Sequence, residues 1–200
     1  MTRVDFIRHG ATDLGDALLG RSDPPLSDVG RQAVARQLAG RTWAAIVASP
    51  LSRAKQSADI AADACGLEPE IDPAWREIDF GDWDGQPRSV LAADARFGAF
   101  RANPDANPPP NGEPMENVRA RVEAALLRLA VRDTGTILVV AHGGSIRMAL
   151  SVLLALPLDR LWSIRIDAAT RITVEMGRDP KHGLWGEIIE IAQPGWERAA

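Results

Sequence analysis

Two histidines and two arginines stand where the chain leaves short apolar segments. His9 follows Arg8 at the end of the first such segment, Arg53 comes shortly after the second, and His142 ends a third. Guanidinium groups match phosphate oxygens with paired donors and stay charged. A neutral imidazole can attack phosphorus when neighbouring cations offset the charge of the phosphate. The four side chains therefore predict a phosphoryl-transfer site in which His9 is the nucleophile.

The elements between these residues must bring them to one place. Short apolar runs alternate with helical periodicity, which is typical of an α/β fold with a mostly parallel sheet. In such a sheet ligands bind beyond the carboxyl ends of the strands, so the strand ends that carry these side chains should converge. The sequence predicts strands at Val4–Ile7, Ala44–Ala48, Pro69–Asp72, Thr136–Ala141, Trp162–Asp167, Arg171–Met176 and Gly186–Ala192, the last two as a hairpin, and helices at 27–41, from 51 to 66, from 114 onward and at 145–156.

Further groups near these strand ends suit the same chemistry. A helix that follows His142 would point the amides of Gly143 and Gly144, and its positive dipole end, at an anion. Arg53 at a helix start opposes the dipole of its helix, and a bound anion would resolve that conflict. Glu77, which has apolar neighbours on both sides, is the candidate proton donor for the leaving group.

Composition and charge narrow the classes of function. The 200 residues, 46% apolar and 25% charged, fit one compact domain spanning 1–200. The formal net charge of −4 and the sequence pI near 5.4 provide no basic field for nucleic acid or for an anionic membrane. We therefore expect a small-molecule phosphate ester as the partner. A Pro-rich stretch within about 84–112 predicts a lid-like insertion.

The number of cysteines and the hydropathy of the chain indicate its cellular compartment. The single cysteine, Cys65, excludes a disulfide framework and favours a reducing compartment. The N-terminal residues lack the apolar core of a signal peptide, and the longest apolar stretches are too short or too interrupted to span a bilayer. We expect a cytoplasmic protein that is a monomer or a homodimer. The third histidine, His182, lies in a turn-like segment and is expected to be solvated.

Four segments of the chain resemble the motifs of the histidine phosphatase superfamily, in its phosphoglycerate-mutase-like branch. They are Phe6–Thr12, Ser49–Ala58, Glu77–Gly85 and Val140–Arg147, in the family's order. The resemblance implies a three-layer α/β/α fold with a mostly parallel central sheet. It also implies a phosphatase reaction that needs neither a metal ion nor a cofactor.

The same resemblance implies a role for each matching catalytic residue. His9 would be phosphorylated transiently. Arg8, Arg53 and His142 would hold the phosphoryl oxygens. Glu77 would protonate the leaving alcohol and then activate water.

A narrower similarity, to the α-ribazole phosphatases, extends over Gly81–Trp83, Asn111–Glu113 and Leu161–Asp167. It implies α-ribazole 5′-phosphate as the candidate substrate. Many members of the superfamily carry an asparagine a few residues after the nucleophile. This chain has none there, so Thr12 or a backbone amide would take its place. The expected substrate contacts are Gly10, Thr12, Arg21, Trp83 and Gly143.

Two other functions remain open at this point. A phosphoglycerate mutase would return the phosphoryl group to its substrate rather than to water, but the extended segment that mutases carry after the acid is not evident. A non-catalytic phospho-ligand binding module would keep the arginines and lose the nucleophile or the acid, whereas His9, Glu77 and His142 are all present. Accumulation of inorganic phosphate, of an isomerised ester or of neither product distinguishes the three.

Overall fold

A six-stranded sheet forms the centre of the computed structural model, which describes residues 1–132, 135–181 and 183–195. The strands are β1 (Thr2–Arg8), β2 (Ala45–Ala48), β3 (Glu70–Ile71), β4 (Ile137–Ala141), β5 (Arg171–Asp179) and β6 (Gly183–Ala192). Their order across the sheet is β3-β2-β4-β1-β5-β6. The first four are parallel, and β5 and β6 form an antiparallel hairpin beside β1. The predicted mostly parallel sheet with a terminal hairpin is confirmed, and His182 lies outside the described residues.

Helices cover both faces of this sheet. They are α1 (Asp28–Leu38), α2 (Ser52–Cys65), α3 (Arg88–Leu91), α4 (Ala95–Ala102), α5 (Met115–Ala130) and α6 (Gly143–Leu153), with 3₁₀ turns at Pro73–Trp75, Gly81–Trp83 and Leu158–Ser163. Val140 of β4 packs with α1 and α2 on one face, whereas Val139 packs with α5 and α6 on the other. Because β4 is buried on both faces, it is apolar throughout, as a central parallel strand must be. The predicted three layers are confirmed.

Several helix ends lie at residues that the sequence marks. Ser27 begins α1 by accepting the N–H of Gly30 at 3.0 Å. Gly66 ends α2 with a left-handed φ of 66°. The last helix begins at Gly143 rather than at the predicted Ser145, so both glycines after His142 lie in its first turn. Within the described ranges no helix combines the length and the apolar character needed to cross a membrane.

The prediction of a strand at Trp162–Asp167 is wrong. This segment begins in a 3₁₀ turn and continues as irregular chain. Its carbonyl groups find partners among side chains instead of in the sheet: Ile164 accepts from Arg147 at 3.2 Å and Ile166 from Arg8 at 2.9 Å. Alternating apolar residues predict a strand only where a neighbouring strand supplies the backbone partners.

The Pro-rich loop packs on the turn around Gly81. The N–H of Asp82 donates to the carbonyl of Pro110, and the N–H of Glu113 donates to that of Asp79, both at 2.9 Å. Gly81 has a φ of 52°, and a Cβ there would clash with the carbonyl of Pro110. The loop thus fixes the segment that directly follows the candidate acid.

Candidate active site

The carboxyl ends of β1 and β4 lie side by side and carry the two histidines. Arg8 pairs in register with Ala141, and the backbone N–H of His9 donates to the carbonyl of Ala141 at 3.0 Å. The rings of His9 and His142 consequently lie with their centroids 5.0 Å apart and their planes inclined by 57°. The two strand ends that the sequence singles out therefore converge.

His9 is held as a neutral imidazole with one nitrogen turned to a cation. Its Nδ1 lies 2.7 Å from the carbonyl oxygen of Gly10, so that nitrogen carries the proton. Its Nε2 accepts a hydrogen bond from Nε of Arg53 at 3.3 Å and therefore bears the lone pair. Burial, followed by the charges of Arg8 and Arg53, holds the pKa of His9 well below its usual 6.5. A neutral ring is the state that a nucleophile requires.

Backbone carbonyl groups anchor the far side of the Arg53 guanidinium. Its Nη1 donates to Ser22 at 2.7 Å and its Nη2 to Gly20 at 3.2 Å. Asp84 fixes that loop by accepting the N–H groups of Gly20 and Ser22, each at 2.7 Å. Burial lowers the pKa of Arg53 from its ordinary value, and the carboxylate of Glu77 opposes that shift. The loop thereby positions the cation that faces the nucleophile.

His142 occupies the N-cap position of α6. Its Nε2 lies 2.7 Å from Oγ of Ser49, and its backbone N–H donates to Oγ of Ser145 at 3.2 Å. Burial is the main cause that lowers the pKa of His142, and His9 and Arg53 act in the same direction. No other described residue supplies a hydrogen-bond partner to its Nδ1. Buried polar atoms without partners are uncommon, and a catalytic role is one explanation for them.

Arg8 extends from the last residue of β1 into the same region. Its Nη1 donates to the carbonyl of Ile166 at 2.9 Å. Burial lowers the pKa of Arg8, and the carboxylate of Glu77 opposes the shift. Its buried Nε has no partner in the part of the chain that the structure describes. Two guanidinium groups thus flank His9, one from β1 and one from α2.

The carboxylate of Glu77 lies against the N-terminus of α6. Its Oε1 accepts the N–H groups of Gly144 and Ile78, both at 2.9 Å, and its Oε2 accepts that of Gly144 at 3.1 Å. The positive end of the helix dipole stabilises a carboxylate at this position. A Cβ at residue 144 would clash with Oε1, so the approach requires glycine. From behind, Arg121 donates to the carbonyl of Glu77 at 3.2 Å and fixes its backbone.

A cleft of about 290 Å³ opens beside these groups. Its walls include Arg8, Glu77, Gly143, Arg88, Arg101 and Trp162. A smaller cavity of about 90 Å³ adjoins His9 and shares Arg8 and Glu77 with the cleft. No three histidine, cysteine or acidic side chains of the described residues are grouped so that they could hold a metal ion. The arrangement can accommodate a phosphoryl group between a neutral imidazole and two guanidinium groups.

The sequence that carries this site matches a known protein family. The family model of the histidine phosphatase superfamily, branch 1, matches residues 4–184. That range contains Arg8, His9, Arg53, Glu77 and His142. The chain belongs to the histidine phosphatase superfamily. The resemblance that the four sequence motifs indicate is thereby confirmed.

Proteins with different names match the chain. The chain is 36% identical over 186 residues to the bifunctional protein Rv2228c of Mycobacterium tuberculosis. The matched segment covers 89% of this chain and 51% of that protein. The chain thus spans about half the length of these mycobacterial relatives. It is 32% identical over 203 residues to the probable phosphoglycerate mutase GpmB of Yersinia pestis, covering 96% of this chain and 93% of that protein.

Solved structures agree with this family. The α-ribazole phosphatase from Shigella flexneri superposes with a TM-score of 0.77 at 25% identity, covering 94% of this chain and 95% of that one. The family and the Shigella flexneri protein are both named for phosphatases.

Only some of the predicted substrate contacts line the cleft or the cavity beside His9. Thr12 lines the cavity beside His9, and Gly143 lines the cleft. Gly10 supports the nucleophile instead, because its carbonyl accepts from Nδ1 of His9 and its N–H donates to Ser57 at 3.2 Å. Arg21 does not line the cleft: its side chain is 80% exposed, pairs with Asp79 at 2.8 Å and lines a separate cavity that includes Glu77.

The prediction that Trp83 contacts the substrate disagrees with its position in the structure. Trp83 is only 1% exposed, and its ring centroid lies 5.3 Å from that of Phe97 and 5.6 Å from that of Phe100. Those two phenylalanines line the cleft, so Trp83 supports the wall from behind. Trp162, in contrast, lines the cleft.

Sequence reasoning missed three arginines of the cleft. Arg147 carried a signal, since it closes the fourth motif and stands one helical turn after Gly143, to whose carbonyl its Nη1 donates at 3.0 Å. Arg88 and Arg101 carried none, because α3 and α4 lie in a stretch without clear periodicity. Ser49, the partner of His142, was within a motif but had no assigned role.

Proposed function

We propose that this protein is a phosphomonoesterase that hydrolyses a small phosphate ester through a phosphohistidine at Nε2 of His9, without a metal ion. The state of His9 carries the proposal. The ring is buried, its pKa is lowered, its Nδ1 is tied to Gly10, and its Nε2 faces Arg53. A nucleophile for a phosphate dianion needs a lone pair and nearby cations, and His9 has both.

The reaction would proceed in two displacements. In the first, the Nε2 lone pair of His9 bonds to phosphorus while the ester P–O bond breaks, and Glu77, protonated at this point, gives its proton to the leaving oxygen. In the second, the carboxylate of Glu77 takes a proton from water as the water oxygen bonds to phosphorus. The P–N bond breaks, inorganic phosphate leaves, and His9 and Glu77 return to their starting states.

Arg8, Arg53 and His142 would hold the phosphoryl oxygens. Nε of Arg8 and Nδ1 of His142 are buried nitrogen atoms without a hydrogen-bond partner among the residues described. If Nε2 of His142 accepts from the hydroxyl of Ser49, the ring proton resides on Nδ1, which can then donate to a phosphoryl oxygen. Ser49 would thus set the tautomer of His142.

The segment at about 84–112 is the proposed specificity element. It contributes Arg88, Phe97 and Arg101 to the cleft. α-Ribazole 5′-phosphate is the substrate that the sequence similarity suggests, and the 25% identity with the Shigella flexneri α-ribazole phosphatase supports testing it first.

A phosphoglycerate mutase is the second candidate. The 32% identity with the probable mutase GpmB over nearly the whole chain favours it. A mutase would return the phosphoryl group from His9 to a second oxygen of the substrate. Only the hydrolase would accumulate inorganic phosphate in proportion to the ester consumed.

Turnover of an ester panel in excess chelator tests the proposal. The panel contains p-nitrophenyl phosphate, glycerol 3-phosphate, 3-phosphoglycerate and α-ribazole 5′-phosphate. We expect inorganic phosphate to be released from at least one ester at the same rate with and without chelator, and His9→Ala to abolish the release. Loss of activity with chelator would overturn the metal-free mechanism, and full activity of His9→Ala would overturn the nucleophile. Isomerised ester without phosphate would assign the mutase.

A further inference from the structure

The cleft carries more positive charge than a single phosphoryl group requires. Among the described residues, its lining holds two carboxylates, Glu77 and Asp167, against four arginines. Asp167 pairs with Arg165 at 2.7 Å, and Glu77 is bound by the amide of Gly144. The four arginines are Arg8, Arg88, Arg101 and Arg147. Even if each carboxylate offsets one arginine, the lining keeps two positive charges in addition to that of Arg53, which faces Nε2 of His9.

Two of these arginines meet at one aromatic ring. Cζ of Arg101 lies 5.3 Å from the ring centroid of Trp162, and Cζ of Arg147 lies 5.4 Å from it. A cation–π contact holds a guanidinium group in place without using its N–H donors. The buried Nε1 of Trp162 also has no hydrogen-bond partner among the described residues. Hydrogen-bond donors are thus gathered at this part of the wall.

Arg147 is a cation in an unfavourable setting. Its two hydrogen bonds go to the carbonyl groups of Ile164 and Gly143, at 3.2 and 3.0 Å, and not to a carboxylate. Burial, followed by the charge of Arg8, lowers the pKa of Arg147 to about 10. An anion placed beside it would offset both effects.

The arginine pair and the phosphoryl site share the space beside Gly143. A Cβ on residue 143 would lie 2.9 Å from Nη1 of Arg147 and 3.8 Å from Nε of Arg8. Since both guanidinium groups approach the same point, they are neighbours across the missing side chain. A small ligand whose phosphoryl group lies at Arg8 can therefore reach Arg147 with its other end.

We propose that the substrate carries a second anionic group, a carboxylate or a further phosphate, which Arg101 and Arg147 bind beside Trp162. The proposal rests on the proposed phosphomonoesterase function and names the substrate class of the same site. α-Ribazole 5′-phosphate has no anion besides its phosphate, so it would leave both arginines unpaired. The second anion therefore separates this substrate class from the one that the sequence similarity suggests.

Matched ester pairs test the second anion. 3-Phosphoglycerate differs from glycerol 3-phosphate by a carboxylate in place of a hydroxymethyl group, and fructose 1,6-bisphosphate differs from fructose 6-phosphate by a second phosphate. We expect kcat/KM of the more charged ester to exceed that of its partner by at least about tenfold in one pair, the usual effect of a charge-assisted contact. The pair that shows the advantage identifies the anion. Equal values within both pairs overturn the proposal.

A substitution in the exposed Arg101 tests the assignment to these residues. Arg101→Gln should reduce the advantage of the charged ester to less than about threefold, because one of its two donors is lost. Arg36→Gln removes the same charge from an exposed position of α1 and should keep the advantage. An advantage that survives in Arg101→Gln overturns the assignment. Arg101 is preferred to Arg147 for this test, since Arg147 also holds two backbone carbonyl groups.

Failure of the proposed function can be told apart from failure of this inference. If no ester of either pair is hydrolysed, the same pairs are compared by titration calorimetry on the unmodified protein. The phosphomonoesterase proposal itself fails only if the ester panel described above releases no phosphate either. Tighter binding of the charged ester, weakened at least tenfold in Arg101→Gln, then upholds the anion site. Equal binding of the two esters overturns it.

Discussion

Nε of Arg53 donates to Nε2 of His9 across 3.3 Å, so the cation lies on the very lone pair that the proposed reaction uses. The two residues come from different elements, the end of β1 and the first turn of α2. Burial is the main cause that lowers the pKa of His9, and the charges of Arg8 and Arg53 lower it further, while the hydrogen bond from Nδ1 to Gly10 fixes the ring. When phosphorus bonds to Nε2, a phosphoryl oxygen can take over the donor that Nε2 releases.

Arg53→Gln should therefore change both the rate and its pH dependence. We expect kcat/KM for p-nitrophenyl phosphate to fall by about 10²–10³, as for other losses of a transition-state donor. Because Arg53 lowers the pKa of His9, removing it raises that pKa, and the acid limb of the pH–rate profile should move to higher pH. Profiles of the wild type, of Arg53→Gln and of the surface variant Arg36→Gln check this. An acid limb that stays in place would assign Arg53 to binding alone.

Glu77→Gln should separate esters by their leaving groups. Gln keeps the size of the side chain but can no longer transfer a proton. Esters of ordinary alcohols need that proton, whereas p-nitrophenolate leaves without it. The quantity to compare is the single-turnover rate constant for formation of the phosphohistidine. We expect its loss for alkyl phosphates to exceed its loss for p-nitrophenyl phosphate by at least about tenfold. Equal losses in a single-turnover measurement would give Glu77 a structural role.

Gly144→Ala should displace the acid from the N-terminus of α6. The added Cβ would clash with Oε1 of Glu77 and lie 2.6 Å from Cδ1 of Ile78. We expect a destabilisation of about 1–3 kcal/mol together with a loss of activity on alkyl phosphates. Gly98→Ala is the matched control: it lies in α4 with open space at its Cβ position, and it should be neutral or stabilise by up to about 1 kcal/mol. Urea unfolding and turnover of alkyl phosphates by both variants check these expectations. Wild-type stability and activity of Gly144→Ala would contradict the proposed position of Glu77.

The residues that lie at strand ends could be predicted from the sequence. Apolar segments predict the parallel strands, and their carboxyl ends share one edge of the sheet, so His9 and His142 had to meet. Arg53 followed because it begins the helix after the next strand. In these cases local periodicity fixes both the element and the direction in which its end points.

The remainder of the cleft depends on tertiary packing that periodicity does not encode. Trp83 and Trp162 both stand in apolar surroundings in the sequence, yet one is buried behind Phe97 and the other reaches the cleft. Which of the two tryptophans reaches the cleft depends on how α4 and the 3₁₀ turn at Leu158–Ser163 pack on each other. Likewise Arg101 belongs to the cleft only because α4 lies over Trp162.

The two buried histidines should link stability to pH. Burial lowers the pKa of His9 and of His142 well below 6.5 in the folded protein, while the unfolded chain titrates near that value. Below about pH 6.5 the unfolded state therefore binds more protons, so the free energy of unfolding falls as the pH drops, by up to about 1.4 kcal/mol per pH unit for each histidine. His142→Gln removes one of the two groups, so between pH 7.5 and 5.5 it should lose about 1.4 kcal/mol less than the wild type in urea unfolding. Carboxylates titrate alike in both proteins and cancel in this comparison; identical losses would mean that His142 has the same pKa in the folded and in the unfolded protein.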